Sequence, residues 1–266
     1  MNKRRLLYLL LAANFIACCI PARPNVSGNS RHQSGESHLE LPAVKPGESI
    51  IIHLGYTSSF NSVKMIPNWV AYELTAEELD GIISRPKNSP FQPDPDYKGR
   101  QPSRSDYSYS GWDKGHLAPC ADMKWSEQAM LESFYFTNIC PQNHGFNEGI
   151  CLKLEEQARR VAKKRGSVYV VCGPVVNNNE FGTIGSSNVV IPDAFFKAFL
   201  APYVETPRAI AFIYPNMPSP GNMKDYAMSI DELEEVVGYD FFYVLPDSVE
   251  NKVESNYSFT EWNRSK

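Results

Sequence analysis

The sequence predicts a single α+β domain behind an N-terminal leader, and three observations carry that reading. Strand-like and helix-like stretches are both present, but they do not alternate in the regular βαβ cadence of a parallel sheet. The chain has 266 residues, 42% of them hydrophobic and 21% charged, enough for one sizeable core without staples. The first 46 residues lack the apolar periodicity of the rest, which divides the chain into 1–20, 21–46 and 47–266.

Residues 1–20 read as an export signal. Lys3-Arg4-Arg5 leads into an apolar run from Leu6 to Ile20 that only Asn14 interrupts, too short for a typical membrane span. Ala17 followed by Cys18 reads either as a lipoprotein box, with Cys18 lipidated and the chain held at a membrane, or as simple cleavage; the former is favoured. Loss of residues 1–17 removes three positive charges and moves the net charge from -4 to -7. Residues 21–46, rich in Pro, Ser, Gly and Asn, read as a flexible tether. The expected location is therefore periplasmic, cell-surface or secreted. Cys120, Cys140, Cys151 and Cys172 then remain, and an exported chain permits disulfides among them in three pairings.

Within 47–266, Ile50 to Leu54 and Trp69 to Leu74 read as strands. Thr75 to Leu79 reads as a capped helical turn with Thr75 as N-cap and Glu78 in the capping-box position. Pro86 to Ser110 is a long Pro-, Ser- and Tyr-rich loop, and loops of that length in compact domains tend to be functional or disordered. Phe134 to Ile139 has the aromatic and β-branched content of a strand. Asn147 to Arg165 carries helical periodicity through Ile150, Leu154, Ala158, Val161 and Ala162. Val168 to Cys172 and Ala209 to Tyr214 read as buried strands, and Ser229 with Glu232 opens another capped helix.

Charge is informative mainly by its distribution. A pI near 5.8 argues against a uniformly basic, nucleic-acid-coating surface, whereas one cationic groove is compatible with it. Arg85, Lys87, Lys98, Arg100, Arg104, Lys114 and Lys124 surround Asp113-Lys114-Gly115-His116. Arg159, Arg160, Lys163, Lys164 and Arg165 read as a solvated helix end that complements the dipole. Acidic residues gather after Asp225. No GxSxG elbow, Walker loop or GxGxxG occurs, which leaves acyl-transfer and nucleotide-binding classes without support. A zinc reading of Cys120, Cys140, Cys151, His116 and His144 lacks CxxC or HxxxH spacing.

The chemistry-bearing residues lie between Asp113 and Glu155. Histidine is the side chain whose unperturbed pKa suits a base near neutral pH, and Gly115 lets the backbone approach closely just before it. Asn147 and Glu155 supply oxygens of the kind a hard, hydrated cation accepts. Eight residues apart on a regular helix they stand about 12 Å apart along the axis. The bland readings are an N-cap for Asn147, an i,i+4 pair with Arg159 for Glu155, a turn-fixing role for Asp113 and an exposed His144.

Asp113-Lys114-Gly115-His116-Leu117-Ala118-Pro119 resembles the Asp-Arg-Gly-His signature of the DNA/RNA non-specific endonucleases, the endonuclease G-like family with a ββα-metal (His-Me finger) core. Phe136-Thr137-Asn138-Ile139-Cys140-Pro141-Gln142, Phe146-Asn147-Glu148-Gly149-Ile150 and Leu154-Glu155 follow in the family's order. Similar segments lie upstream at Trp69 to Leu74 and downstream at Asp231 to Glu234 and Gly238 to Phe242, so the resemblance covers roughly residues 50 to 248. It implies a mixed, mainly antiparallel sheet flanked by helices. It implies DNA and RNA, held by their phosphates, as substrates, Mg²⁺ as cofactor with Mn²⁺ as substitute, and a homodimer among the expected partners. It also implies roles: His116 activates the attacking water, Asn147 is the one direct metal ligand, and Glu155 binds the metal through water. Asn138 orients the histidine or the phosphate, and Arg85 grips phosphate. Lys114 stands where the family has arginine, keeping the charge without the bidentate fork. The rival readings are a non-catalytic nuclease-like binding module and a phosphodiesterase for small non-nucleic substrates.

Overall fold

The computed structural model describes residues 38–88, 90–201, 208–218 and 221–264. The expected signal, Cys18 and most of the expected tether lie outside them. Residues 38–46 do not form a tether: Leu39 is buried, Leu41 packs on the core, and Ala43 N–H donates to the Asp240 carbonyl.

Eleven strands are present among the described residues: β1 (Ser49–Ile52), β2 (Thr57–Asn61), β3 (Ile66–Thr75), β4 (Asp113–His116), β5 (Ile139–Gln142), β6 (Ser167–Val175), β7 (Thr183–Ile184), β8 (Val189–Val190), β9 (Ala194–Ala201), β10 (Arg208–Pro215) and β11 (Ala227–Met228). Seven form one sheet in the order β1-β2-β3-β6-β9-β10-β11, while β4 pairs with β5 and β7 with β8. Every pairing of these strands is antiparallel. Parallel geometry occurs only at the isolated Gln92–Tyr135 bridge.

The sheet is buried on both faces, and strand parity sorts its side chains into two cores. Val70, Tyr72 and Leu74 of β3, Val168, Val170 and Cys172 of β6, Phe195 and Phe199 of β9 and Ile210, Phe212 and Tyr214 of β10 face one layer. Trp69, Ala71, Tyr169, Val171, Phe196, Leu200 and Ile213 face the other. Six α-helices of four residues or more are present among the described residues: α1 (Arg104–Tyr107), α2 (Glu127–Glu132), α3 (Leu152–Arg165), α4 (Ile230–Val237), α5 (Asp247–Glu254) and α6 (Phe259–Asn263). The β4–β5 pair and α3 cover the first face, through Leu117, Ile139, Leu154, Ala158, Val161 and Ala162. Helices α4 and α5 cover the second, through Ile230, Leu233 and Val253.

Two expected elements change character. Phe134 to Ile139 is not a strand; it makes a 3-10 turn at Phe136–Asn138, and β5 begins only at Ile139. Its aromatic side chains mark burial rather than a pleat: Phe134 and Phe136 are sealed in the core. The expected helix from Asn147 is a wide π turn at Asn147–Cys151, distorted at Gly149, that becomes regular at Leu152. The four cysteines are free thiols, not disulfides; three are buried and Cys120 is half-buried. The two capping expectations hold: Glu78 N–H donates to Thr75 Oγ1 at 3.1 Å, and Ser229 with Glu232 forms a full capping box.

Register between β4 and β5 places Gly115 opposite Cys140 and His116 opposite Ile139. A Cβ on Gly115 would lie 2.0 Å from Cδ of Gln142, which is sealed at 1% exposure and has no room to swing away. Gly115→Ala is therefore expected to destabilise the protein by about 1–3 kcal/mol through overpacking, a Tm drop of about 2–4 °C for each kcal/mol. An unchanged Tm in thermal unfolding would show that Gln142 repacks freely and does not set this register.

Candidate active site

His116 ends β4, on the face of that strand opposite the Gly115–Gln142 contact and shared with Lys114. Its ring meets the edge of Phe134 at 4.9 Å and lies 5.3 Å from Phe91. Phe91 comes from the long loop between Pro86 and Ser110, so that loop builds the site wall. The loop is ordered by internal and distant anchors. Asp94 meets His53 Nε2 at 2.9 Å and accepts from Thr137 Oγ1, and Arg104 Nε donates to the Phe91 carbonyl at 2.6 Å.

The Nε2 atom of His116 is buried and has no hydrogen-bond partner. Burial, then the positive charges of Arg85 and Lys197, push the imidazole pKa down to about 3. At neutral pH the ring is therefore uncharged and can accept a proton. Arg85 is exposed, with its guanidinium 5.4 Å from the Phe134 ring that flanks His116. Lys114 places Nζ 5.5 Å from the Phe91 ring and 5.6 Å from Tyr107. Both expected phosphate-binding cations thus border the aromatic box around the histidine.

Asn138 is fully buried, and its side chain is committed to backbone. Oδ1 accepts from Ala118 N–H at 2.8 Å, and Nδ2 donates to the Ala118 and Ser133 carbonyls. Its own carbonyl accepts from Leu117 N–H at 3.0 Å. Asn138 thereby holds Leu117 and Ala118, the two residues that follow His116.

Asn147 follows a single helical turn at His144–Phe146 that Asn143 caps. Asn147 is not itself an N-cap: its Nδ2 donates to Asp113 Oδ2 at 2.9 Å. A carboxylate only accepts, so Oδ1 is the atom Asn147 presents elsewhere. The same Asp113 oxygen meets His144 Nδ1 at 2.9 Å, and His144 Nε2 lies 3.4 Å from Glu148. The Asp113 hydrogen bond, its charge and Glu148 raise the His144 pKa. Asp113 thus fixes an amide, not a turn, and the exposed His144 helps hold it.

Glu155, in the first turn of α3, lies among cations. Oε2 is 3.5 Å from Arg159 Nη2, Oε1 is 3.7 Å from Lys197 Nζ, and Cys151 Sγ donates to Oε1 at 3.5 Å. Burial raises its pKa, against Lys197 and Arg159. Arg159 Nε donates to the buried Asp122 at 2.5 Å, and its Nη2 is buried without a hydrogen bond. Arg159 was expected to be part of a solvated helix end; its pairing with Asp122 and Glu155 turns it inward.

Lys197 was not anticipated. It sits in β9, is 6% exposed, and its parity sends it to the same face as Phe195 and Phe199. Nζ donates to the Leu117 carbonyl at 3.2 Å. Burial opposes its charge, but Cys172, Cys151 and Glu155 outweigh that and raise its pKa. The one sequence signal was a lone lysine inside the apolar run Ala194 to Ala201. The oxygens of Asn147 and Glu155 suit a hard divalent cation, so the residues present fit the metal the resemblance implies.

Comparison with known proteins identifies the family. The profile of the DNA/RNA non-specific endonuclease family matches residues 41–248. A Danio rerio protein named "Nuclease EXOG, mitochondrial" is 33% identical over 208 residues, 73% of this chain and 60% of its own length. "Nuclease 1, mitochondrial" of Schizosaccharomyces pombe is 33% identical, over 73% of this chain and 66% of its own. A Nostoc protein named "Nuclease" is 30% identical, with 79% of each covered. The chain thus spans under two thirds of the two longer relatives. A solved chain from the EndoG/EndoGI complex superposes with a TM-score of 0.69 at 25% identity, covering 74% of this chain and 87% of that one. With a matching profile across most of the chain and relatives above 30% identity, the chain belongs to the DNA/RNA non-specific endonuclease family.

Proposed function

We propose that the protein is a Mg²⁺-dependent endonuclease that hydrolyses phosphodiester bonds of DNA and RNA without sequence preference. The observation that carries this is a neutral His116 imidazole walled by Phe91 and Phe134, with Arg85 and Lys197 as the charges that act on it. Backbone phosphates carry no sequence information, and Arg85 and Lys114 beside the aromatic box would meet phosphate charge rather than a base edge. The charged neighbours that act most on the ring are both positive.

The His116 imidazole, through its ring nitrogen other than the sealed Nε2, takes a proton from water as the water oxygen forms its bond to phosphorus. The opposite bond, from phosphorus to the 3′-oxygen, breaks; that oxygen takes a proton from solvent, and the ends left are a 5′-phosphate and a 3′-hydroxyl. A bound phosphate brings negative charge beside the imidazole, offsets Arg85 and Lys197, and raises the histidine pKa towards the working range of a general base. Arg85 and Lys114 grip the incoming strand. Asn138 and Lys197 are positioning residues, since both hold the backbone next to His116 and neither touches the reacting atoms. Asp113 aims Asn147 Oδ1, which with Glu155 in the outer sphere would hold the divalent cation. When bound, that cation supplies charge to the phosphate and leaving oxygen. Export through residues 1–20, with Cys18 as a lipidation site, belongs to the same reading and rests on the basic and apolar pattern of the leader.

Plasmid DNA and RNA incubated with Mg²⁺ are expected to be cut, and EDTA is expected to stop it. His116→Ala should lower kcat by about 10²–10⁴-fold, the usual range for a general base, with the fold intact by circular dichroism. A wild-type protein that leaves plasmid, single-stranded DNA and RNA whole would favour the binding-module reading, and cleavage only of small phosphodiesters would favour the other rival. Lys197→Met should raise the His116 pKa, because removing a nearby positive charge makes protonation easier. The shift is readable as an upward move of the His116 ring resonance in an NMR titration of the substrate-free protein. A His116 titration unchanged by Lys197→Met would sink the electrostatic account of the neutral base.

A further inference from the structure

We propose that Asp231, Glu234 and Glu254 form a site for a hard divalent cation, Ca²⁺ by its chemistry, that clamps α5 to α4. One oxygen from each carboxylate lies within 4.8 Å of the others. Two oxygens on one Ca²⁺ stand at most about 5 Å apart, twice its bond length to oxygen, so the three can share an ion. Asp231 and Glu234 are one turn apart on α4, and Glu254 is the last residue of α5. Glu254 is 6% exposed, and its Oε1 is buried without a hydrogen-bond partner. A buried carboxylate oxygen with nothing to accept from is costly unless a proton or a cation meets it. Glu234 is already oriented, since its Oε1 accepts from Phe241 N–H at 2.8 Å.

The surroundings favour a cation over any anionic or neutral ligand. The charged neighbours that act most on Glu254 are all carboxylates: Glu234, Glu250, Asp240 and Asp231. Burial first, then those charges, push its pKa up to about 9, and burial likewise lifts Glu234 to about 7. An all-oxygen, all-carboxylate donor set excludes a preference for soft metals. Several carboxylates in one inner sphere suit Ca²⁺ better than Mg²⁺, which keeps most of its water and demands octahedral geometry. The exposed side of Asp231 gives the ion its way in. Helices α4 and α5 pack on the sheet face opposite His116, through Ile230, Leu233 and Val253. The clamp is therefore separate from the nuclease centre, and either reading can fail without the other.

The test uses the full chain stripped with EDTA, in an Asn147→Ala background that removes the proposed ligand at the other site. Equilibrium dialysis with radioactive Ca²⁺ should give one ion bound per chain, with half-saturation at or below about 1 mM. Asp231→Asn, at an exposed position, and Glu254→Gln should each weaken binding at least tenfold. Thermal unfolding gives the second readout. Saturating Ca²⁺ should raise the Tm by several degrees, and the rise should vanish in Asp231→Asn. In EDTA the same substitution should raise the Tm, because it relieves carboxylate repulsion. The proposal is overturned if the Asn147→Ala protein binds no Ca²⁺ at millimolar concentration. It is equally overturned if binding survives Asp231→Asn and Glu254→Gln unchanged, which would leave a shared proton as the occupant of the cluster.

Discussion

The ammonium of Lys197 is the contact on which the rest of the active site depends. It rises from a buried strand of the large sheet and reaches two separate pieces of the ββα unit, the Leu117 carbonyl and the Glu155 carboxylate. Cys172 on the adjacent strand adds a thiol contact to the same carbonyl at 3.2 Å. The segment that follows His116 is thereby tied to the sheet from below, while Asn138 ties it from the side. A buried charge is tolerable only with partners, and these partners are the parts that must keep a fixed distance. Position and charge are supplied by one side chain, which also biases His116 towards its neutral form.

The metal side is organised by an acceptor rather than a cation. Asp113 Oδ2 receives Asn147 and His144 together, which selects the amide rotamer of Asn147. The charges are not sorted into separate halves: Lys197 acts on His116 and also pairs with Glu155, which Arg159 meets from its other oxygen. Arg159 is bonded to Asp122 as well.

Much of this was legible from the chain. The resemblance of contiguous motifs pointed to His116, Asn147 and Glu155, and the structure sets His116 among aromatic rings and Asn147 on Asp113. Capping residues at Thr75 and Ser229 were read correctly because a cap depends on residues close in sequence. What escaped was long-range or depended on packing. Lys197 lies 81 positions beyond His116, and only the sheet order reveals that it faces the site. Arg159 looks like any cation on a basic helix until Asp122 is seen beside it. Phe134 to Ile139 carries strand-like residues, yet those rings are needed as walls, and a 3-10 turn delivers them. Gly149 distorts the helix between the two expected metal ligands, which an even 3.6-residue repeat does not foresee.

The unpaired thiols have a consequence for what keeps the cleft in shape. Cys140, Cys151 and Cys172 are buried, and their burial raises each pKa above the ordinary thiol value. Thiols in that state are poor nucleophiles and resist oxidation. Nothing in the sheet, the helices or the cleft among the described residues is fastened by a sulfur–sulfur bond. Among the described residues the fold is held by packing, hydrogen bonds and ion pairs, so the distances within the cleft do not depend on the oxidation state of sulfur.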